Sequence, residues 1–337
     1  MDANAVRAAW ERAARRAAEG GGRAARDEAP ARRVDAPTFM GAPAVATAED
    51  LEGAAAVALG IPYGGADPEL AGGPAAIRHH SRALASQIRR GPAAALDPWA
   101  EAVKRSRLVD YGDVTVDEDD VETTFMRAHD KLADIFAVGA VPIVFGGDHG
   151  ISIPVLQVLA GKLAGKLGIV VFDARRDLGF EPRYGAGSQW ARAFELGVVE
   201  PANFVEIGIR EDLESSGETC VADELGLRCF TMTEVDELGV TTVTEEALEA
   251  ATSGTEAVYV SLDVSVVDAA LGAAGCADPT GLGARELLLS LRILSMGPLA
   301  AFDVCGLAPR VDAQGRLGCL AAMAAAEVLA GLAVQRP

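Results

Sequence analysis

Aromatic residues are scarce, at 5% of 337 residues, and histidine is scarcer still, with 4 in the whole chain. Cysteine is also rare: Cys220, Cys229, Cys276, Cys305 and Cys319 are an odd number with no Cys-x-x-Cys spacing. That argues against a disulfide framework or a cysteine-based zinc module, and fits free thiols in a reducing compartment, so a cytoplasmic location is expected. Basic residues are outnumbered by acidic ones, 30 to 49, for a formal charge of -19. Such a chain lacks the clustered basic surface that phosphate backbones require, so nucleic acid is not an expected partner. No apolar run approaches the roughly 18 uninterrupted residues a bilayer helix needs, and the Ala- and Arg-rich start, Met1 to Asp35, has no signal-type apolar core. No membrane partner is expected. The same start carries 8 arginines and 6 acids, a poor transit peptide, and reads as a flexible tail or a short helix around Trp10.

What is present is alternation. Short apolar runs (Ala54 to Ile61, Leu108 to Val114, Val141 to Phe145, Gly168 to Phe172, Phe204 to Ile209, Ala257 to Leu262, Leu299 to Cys305) read as buried strands. Between them, Pro74 to Gln87, Asp117 to Ala137, Ile151 to Leu163, Thr244 to Thr252, Ala284 to Leu294 and Leu317 to Val334 carry helical periodicity. The pattern predicts an α/β fold with a mostly parallel sheet, as one domain over residues 37–337 after a tail over 1–36.

Ligands of open α/β sheets bind at the carboxyl ends of strands, so the residues just after each strand matter most. Gly146-Gly147-Asp148-His149 follows one strand, Asp173, Arg175 and Asp177 the next, and Asp263 and Ser265 a later one. One histidine and several carboxylates from three strand ends suit a divalent cation. Taken singly, each aspartate is as well explained as a helix cap. His79, His80 and His129 fall on helices and read as surface residues. No serine or cysteine has a nucleophile-elbow context, and Cys305 shows no histidine partner in sequence. The glycine stretches Gly20 to Gly22 and Gly72 to Gly73 lack the setting of a phosphate loop.

The segments Phe145-Gly-Gly-Asp-His149, Phe172-Asp-Ala-Arg-Arg-Asp177 and Ser261-Leu-Asp-Val-Ser-Val-Val-Asp268 resemble, in order and spacing, the three metal motifs of the ureohydrolase family, which includes arginase and agmatinase. Pro37-Thr-Phe-Met-Gly-Ala-Pro43, Gly73-Pro-Ala-Ala-Ile-Arg78, Asp110-Tyr-Gly-Asp-Val114 and Gly281-Leu-x-x-Arg-Glu286 are similar to further family segments. The resemblance implies a three-layer α/β/α fold with a central mostly parallel sheet, assembled as trimers or hexamers. It also implies two manganese ions bridged by a hydroxide that attacks a guanidinium carbon.

By that resemblance the first ion takes His149, Asp173, Asp177 and Asp263, all present. The ligands belonging to the second ion alone fall at Arg175 and Ser265, which are poor or impossible ligands. The loop histidine that shuttles protons falls near Gly185 or Ala186, and the glutamate that grips the guanidinium falls at Gly306. The Asp-Pro step after the third motif is replaced by Asp268-Ala269. Both ligand losses fall on one ion, which predicts a surviving single-ion site, manganese by resemblance, with Arg175 supplying positive charge to the aspartates. The alternative is that Arg175 neutralises the aspartates and no metal binds. Asp173 and Asp177 are the expected catalytic carboxylates, and Tyr184, Trp190, Arg192 and Gly306 the expected pocket lining. The expected activity is hydrolysis of a C–N bond in a small-molecule substrate, or a repurposed biosynthetic reaction, with little turnover of arginine or agmatine. The alternative from a different class is a catalytically inactive subunit in an assembly or regulatory role, partnered with an intact paralogue.

Overall fold

The central strands of this chain are apolar along most of their length, which permits burial on both faces of a sheet. In the computed structural model, which describes residues 37–89, 106–163, 166–179, 184–210, 216–272 and 279–335, that is how they lie. Eight strands, β1 (Ala56–Ile61), β2 (Leu108–Asp113), β3 (Val141–Gly146), β4 (Leu167–Phe172), β5 (Val199–Ile209), β6 (Arg228–Thr231), β7 (Ala257–Asp263) and β8 (Leu299–Cys305), form one sheet in the order β2-β1-β3-β8-β7-β4-β5-β6. Every pairing between them is parallel.

Because strand side chains alternate between faces, the strands feed two separate cores. Ala56, Ala58, Val170 and Phe172 pack on one side; Val57, Leu59, Ile169 and Val171 pack on the other. The first core is closed by α1 (Gly73–Arg89), α6 (Met232–Leu238), α7 (Val240–Thr252), α8 (Ala284–Leu294) and α9 (Arg316–Gln335). The second is closed by α2 (Val121–Ala137), α3 (Ser152–Leu163), α4 (Gln189–Leu196) and α5 (Ser216–Leu225). The three-layer α/β/α expectation is met.

Several expectations need correction. The edge strand β6 and helices α4, α5 and α6 were not legible, because each is short and carries charged or polar residues through its apolar pattern. Strand β5 starts at Val199, where exposed Glu200 and half-buried Pro201 break the apolar run. Helix α2 starts later than expected, at Val121, because the Asp120 side chain accepts from Thr123 N and caps it. Helix α9 is 20 residues long with a window of mean hydropathy 2.0, but Glu327 interrupts its apolar run and 83% of that window is buried inside the protein. Its acid, Glu327, pairs with Arg292 at 2.8 Å, so the apolar run serves the core. The tail around Trp10, Gly20 to Gly22 and Cys276 lie outside the described residues.

Candidate metal centre

Strands β3, β8, β7 and β4 are neighbours at the middle of the sheet, and their carboxyl ends lie side by side. After β3 the chain turns at Gly147, where a Cβ would lie 2.0 Å from the Tyr63 carbonyl oxygen, so only glycine fits. That turn delivers His149. Asp148 does not join it: its Oδ1 accepts from Gly150 N at 2.9 Å as a cap, and burial pushes its carboxyl up to about 6.

His149 Nδ1 is the point on which the other groups converge. Asp173 Oδ2 lies 2.9 Å from it, Asp177 Oδ2 3.3 Å and Asp263 Oδ2 3.7 Å. All four side chains are buried, and Asp177 is the most exposed at 11%. Adjacent donors around one ion with bonds of about 2.1 Å are separated by about 3.0 Å in an octahedron and about 3.4 Å in a tetrahedron. The observed spacings are of that size, and His149, Asp173 and Asp177 form a group that could hold a metal ion, with Asp263 beside it. Burial works against a charged His149, yet the surrounding Cys305, Asp173 and Asp177 hold its acidity well below that of an ordinary imidazole. A proton on Nδ1 thus stands where a cation would.

The second oxygens of two of the carboxylates are occupied by the protein itself. Asp173 Oδ1 accepts from Ser265 Oγ at 2.8 Å and from Arg175 N at 3.0 Å, and Asp263 Oδ1 accepts from Ser265 N at 2.7 Å. Ser265 therefore sits among the aspartates as a hydrogen-bond donor. The turn that carries it is held by Arg210, which donates to the carbonyls of Ser265 at 2.7 Å, Val266 at 3.2 Å and Val267 at 3.3 Å. The side chain of Arg175 is half-buried, and its charge is felt by Asp177. Asp177 adopts φ 51°, and its Oδ2 accepts from Gln189 Nε2 at 2.6 Å. Burial raises the Asp177 carboxyl, but His149, Gln189 and Arg175 together bring it below the usual carboxylate range.

A chain of hydroxyls orients the histidine from behind. His149 Nε2 lies 2.9 Å from Ser261 Oγ, which donates its only proton to Asp303 Oδ1 at 2.7 Å. Ser261 can then only accept from His149, placing a hydrogen on Nε2 and leaving Nδ1 to face the carboxylates. Asp303 is fully buried and also accepts from Ser152 Oγ at 2.8 Å and from the Tyr259 hydroxyl. Ser261, Asp303, Ser152, Tyr259 and Gln189 were not singled out from sequence. The signal was available for two of them: a serine and an aspartate inside apolar, fully buried strands must have partners.

Trp190 is fully buried, its ring edge-on to His149 at 5.3 Å, and it packs on Phe204 and Tyr259, so it forms the wall behind the histidine. Arg192 is buried on α4 and ion-pairs with Glu195. Tyr184 is half-buried with its ring 6.4 Å from Phe125. Gly185 passes against Gly150, beside the histidine turn. Gly306, at φ 80°, lies directly against the Asp263 carboxylate. Cys305 does have a histidine neighbour after all: its sulfur lies within 4.8 Å of ligand atoms of His149 and Asp303. Among the described cysteines none is disulfide-bonded. His79 is exposed, and His80 and His129 are partly exposed on their helices.

Fold and site together define a class: a parallel three-layer α/β/α protein with a divalent-ion donor set at the carboxyl edge of its central strands. A model of the Arginase family matches residues 54–332, and the chain belongs to that family. It is 32% identical to guanidinopropionase from Pseudomonas aeruginosa over 88% of this chain and 92% of that protein. It is 30% identical to proclavaminate amidinohydrolase from Streptomyces clavuligerus, over 88% and 93% of the two chains. The solved structure of proclavaminate amidinohydrolase from the same organism superposes with a TM-score of 0.76 at 29% identity, covering 88% of this chain and 97% of that one.

Proposed function

We propose that this protein is a single-ion hydrolase of C–N bonds in small amidine- or amide-type substrates, and that it turns over arginine and agmatine poorly. The observation that carries the reading is the division of oxygens: three Oδ2 atoms face His149 Nδ1, while the Oδ1 atoms of Asp173 and Asp263 are spent on Ser265 and backbone N–H groups. His149, Asp173, Asp177 and Asp263 would hold the ion, which supplies Lewis acidity and lowers the pKa of a bound water.

The remaining work falls to the chain's own groups. Ser261 and Asp303 hold the His149 ring in one tautomer. Asp177, kept ionised and the most exposed of the set, accepts the proton of the attacking water, and Gln189 fixes its carboxylate. Among the described residues, glycine at 306 offers no carboxylate to a guanidinium there, and the Arg175 cation beside Asp177 disfavours a positively charged reacting group. The favoured substrate is neutral or anionic at the reacting end. The relatives' names point to amidine-type carbons bearing guanidino, amidino and formimidoyl groups, the last in formimidoylglutamase from Halalkalibacterium halodurans, 30% identical over 61% of this chain.

Residues 37–337 act as one domain in this reading, in the cytoplasm, as a homo-oligomer. The metal-loaded protein assayed on a panel of carboxylate-bearing amidines, formimino compounds and N-acyl amines tests it. Ammonia, urea or carboxylate release from at least one of these, with little urea from arginine or agmatine, is expected. Turnover of arginine or agmatine near ~10 per second, a typical enzyme rate, overturns it. No release from any substrate at full metal loading supports the inactive-subunit alternative.

A further inference from the structure

We infer that Arg210 is a positioning residue of the metal centre: from β5, a strand that supplies no donor, it braces the turn after β7 against the turn after β4 and so sets the spacing of Asp263 and Asp173. The inference rests on the single-ion reading above.

The donors follow β3, β4 and β7, and β5 lies outside them on the far side of β4. Its end nevertheless runs against both aspartate turns. Asp173 N donates to Ile207 O at 3.2 Å. At Gly208, with φ 98°, an added Cβ would lie 2.3 Å from Val266 Cγ2 and 3.3 Å from Asp173 O, so glycine lets the strand pass between the two turns. Two residues further on, Arg210 N donates to Ala174 O at 3.0 Å, which fastens Arg210 to the turn that follows Asp173.

The Arg210 side chain then crosses to the other turn. Its Nη2 donates to Ser265 O at 2.7 Å and to Val267 O at 3.3 Å, and its Nη1 to Val266 O at 3.2 Å. One planar group holds three successive carbonyls, which suits the rigid fork of a guanidinium and not the single point of an ammonium. Among the described residues the acceptors of this side chain are all carbonyls, so it grips the backbone of the turn rather than a carboxylate.

The shortest of these bonds goes to the residue that touches both aspartates. Ser265 N donates to Asp263 Oδ1 at 2.7 Å, and Ser265 Oγ donates to Asp173 Oδ1 at 2.8 Å while accepting from Ala174 N at 3.3 Å. Only Ser265 stands between Arg210 and each carboxylate. The turn itself is one 3-10 step, Val264–Val266, too short to hold its own shape, so the grip comes from outside it. When that grip is lost both Oδ1 bonds shift together, and the Oδ2 atoms facing His149 Nδ1 turn with them.

Manganese binding to the full chain is the test, with free and bound ion distinguished by electron paramagnetic resonance. The unchanged protein is compared with Arg210→Lys, which keeps the charge, Arg210→Met, which keeps the length, Ser265→Ala, and Ser265→Ala joined to Arg210→Lys. Circular dichroism of the metal-free proteins checks folding, and Arg210→Lys, the milder change, carries the test where Arg210→Met does not fold. The inference expects affinity about 10- to 100-fold weaker in both Arg210 variants and an altered bound-ion spectrum in Arg210→Lys. The double variant should lose less than the product of the two single losses, because both act through one turn. Full affinity in Arg210→Lys, a bound-ion spectrum identical to that of the unchanged protein, or single losses that simply multiply overturns the brace and leaves the single-ion reading standing. No ion bound by the unchanged protein overturns both.

Discussion

The backbone at Gly306 is pressed against Asp263: a Cβ added there would lie 2.6 Å from Oδ1 and 2.9 Å from Oδ2. The position where relatives are expected to carry a substrate-binding glutamate is therefore closed to any side chain while Asp263 stays in place. Gly306→Ala should lose stability through both the contact and the positive φ, about 1 to 3 kcal/mol in thermal or denaturant unfolding. It should also weaken metal binding, because Asp263 must move. Gly306→Glu should fail to confer arginine hydrolysis, and a urea assay of that variant checks this.

Ser261 couples the donor set to a buried carboxylate, at 2.9 Å from His149 and 2.7 Å from Asp303. Replacing it with alanine removes the acceptor for His149 Nε2 and frees the tautomer. Metal affinity should fall by about 10- to 100-fold, the usual loss when an outer partner of a ligating histidine is removed. Calorimetric titration of Ser261→Ala against the unchanged protein reads it out. An unchanged affinity would show that the histidine is oriented by its packing on Trp190.

In the proposed single-ion reading, Arg175 and Ser265 stand where the family resemblance implies the ligands of a second ion. The double substitution Arg175→His with Ser265→Asp should raise the metal content from one ion per chain toward two, while either single change leaves it at one. Ser265→Asp alone should destabilise the metal-free protein, since it adds a carboxylate beside Asp173 and Asp263. Elemental analysis and unfolding of the three variants measure both effects.

Glu206 gives a pH dependence outside the donor set. It is fully buried and paired with Arg176 at 2.8 Å, yet burial, reinforced by Asp173 and Asp177, pushes its carboxyl up from 4.5 to about 8. A group that binds its proton more tightly folded than unfolded contributes stability that is complete below the unfolded value and is lost as pH rises through the folded one. Metal-free protein should lose stability from pH about 4.5 to about 8. Glu206→Gln should flatten that decline, as melting temperatures at several pH values in chelator will show.

The sheet, and the strand ends that bring His149, Asp173, Asp177 and Asp263 together, were legible because they rest on strong local signals. Apolar runs such as Val141 to Phe145 cannot be left in water, and Asp and His immediately after them have few structural reasons to cluster. Short elements were not legible: α4 is eight residues around Trp190, and β6 is four residues with Arg228 at its start. Nor could the sequence show what Ser265 does with its hydroxyl or that Cys305 lies beside His149, because both follow from the pairing of β7 with β8 and β4 rather than from neighbours along the chain.

The central claim is one divalent ion per chain at His149, Asp173, Asp177 and Asp263. Metal content measured on the purified full chain after equilibration with excess divalent ion, beside Asp263→Ala, tests it most directly. The account predicts one ion per chain and close to none in the variant. Two ions per chain, or none in the unchanged protein, would contradict it.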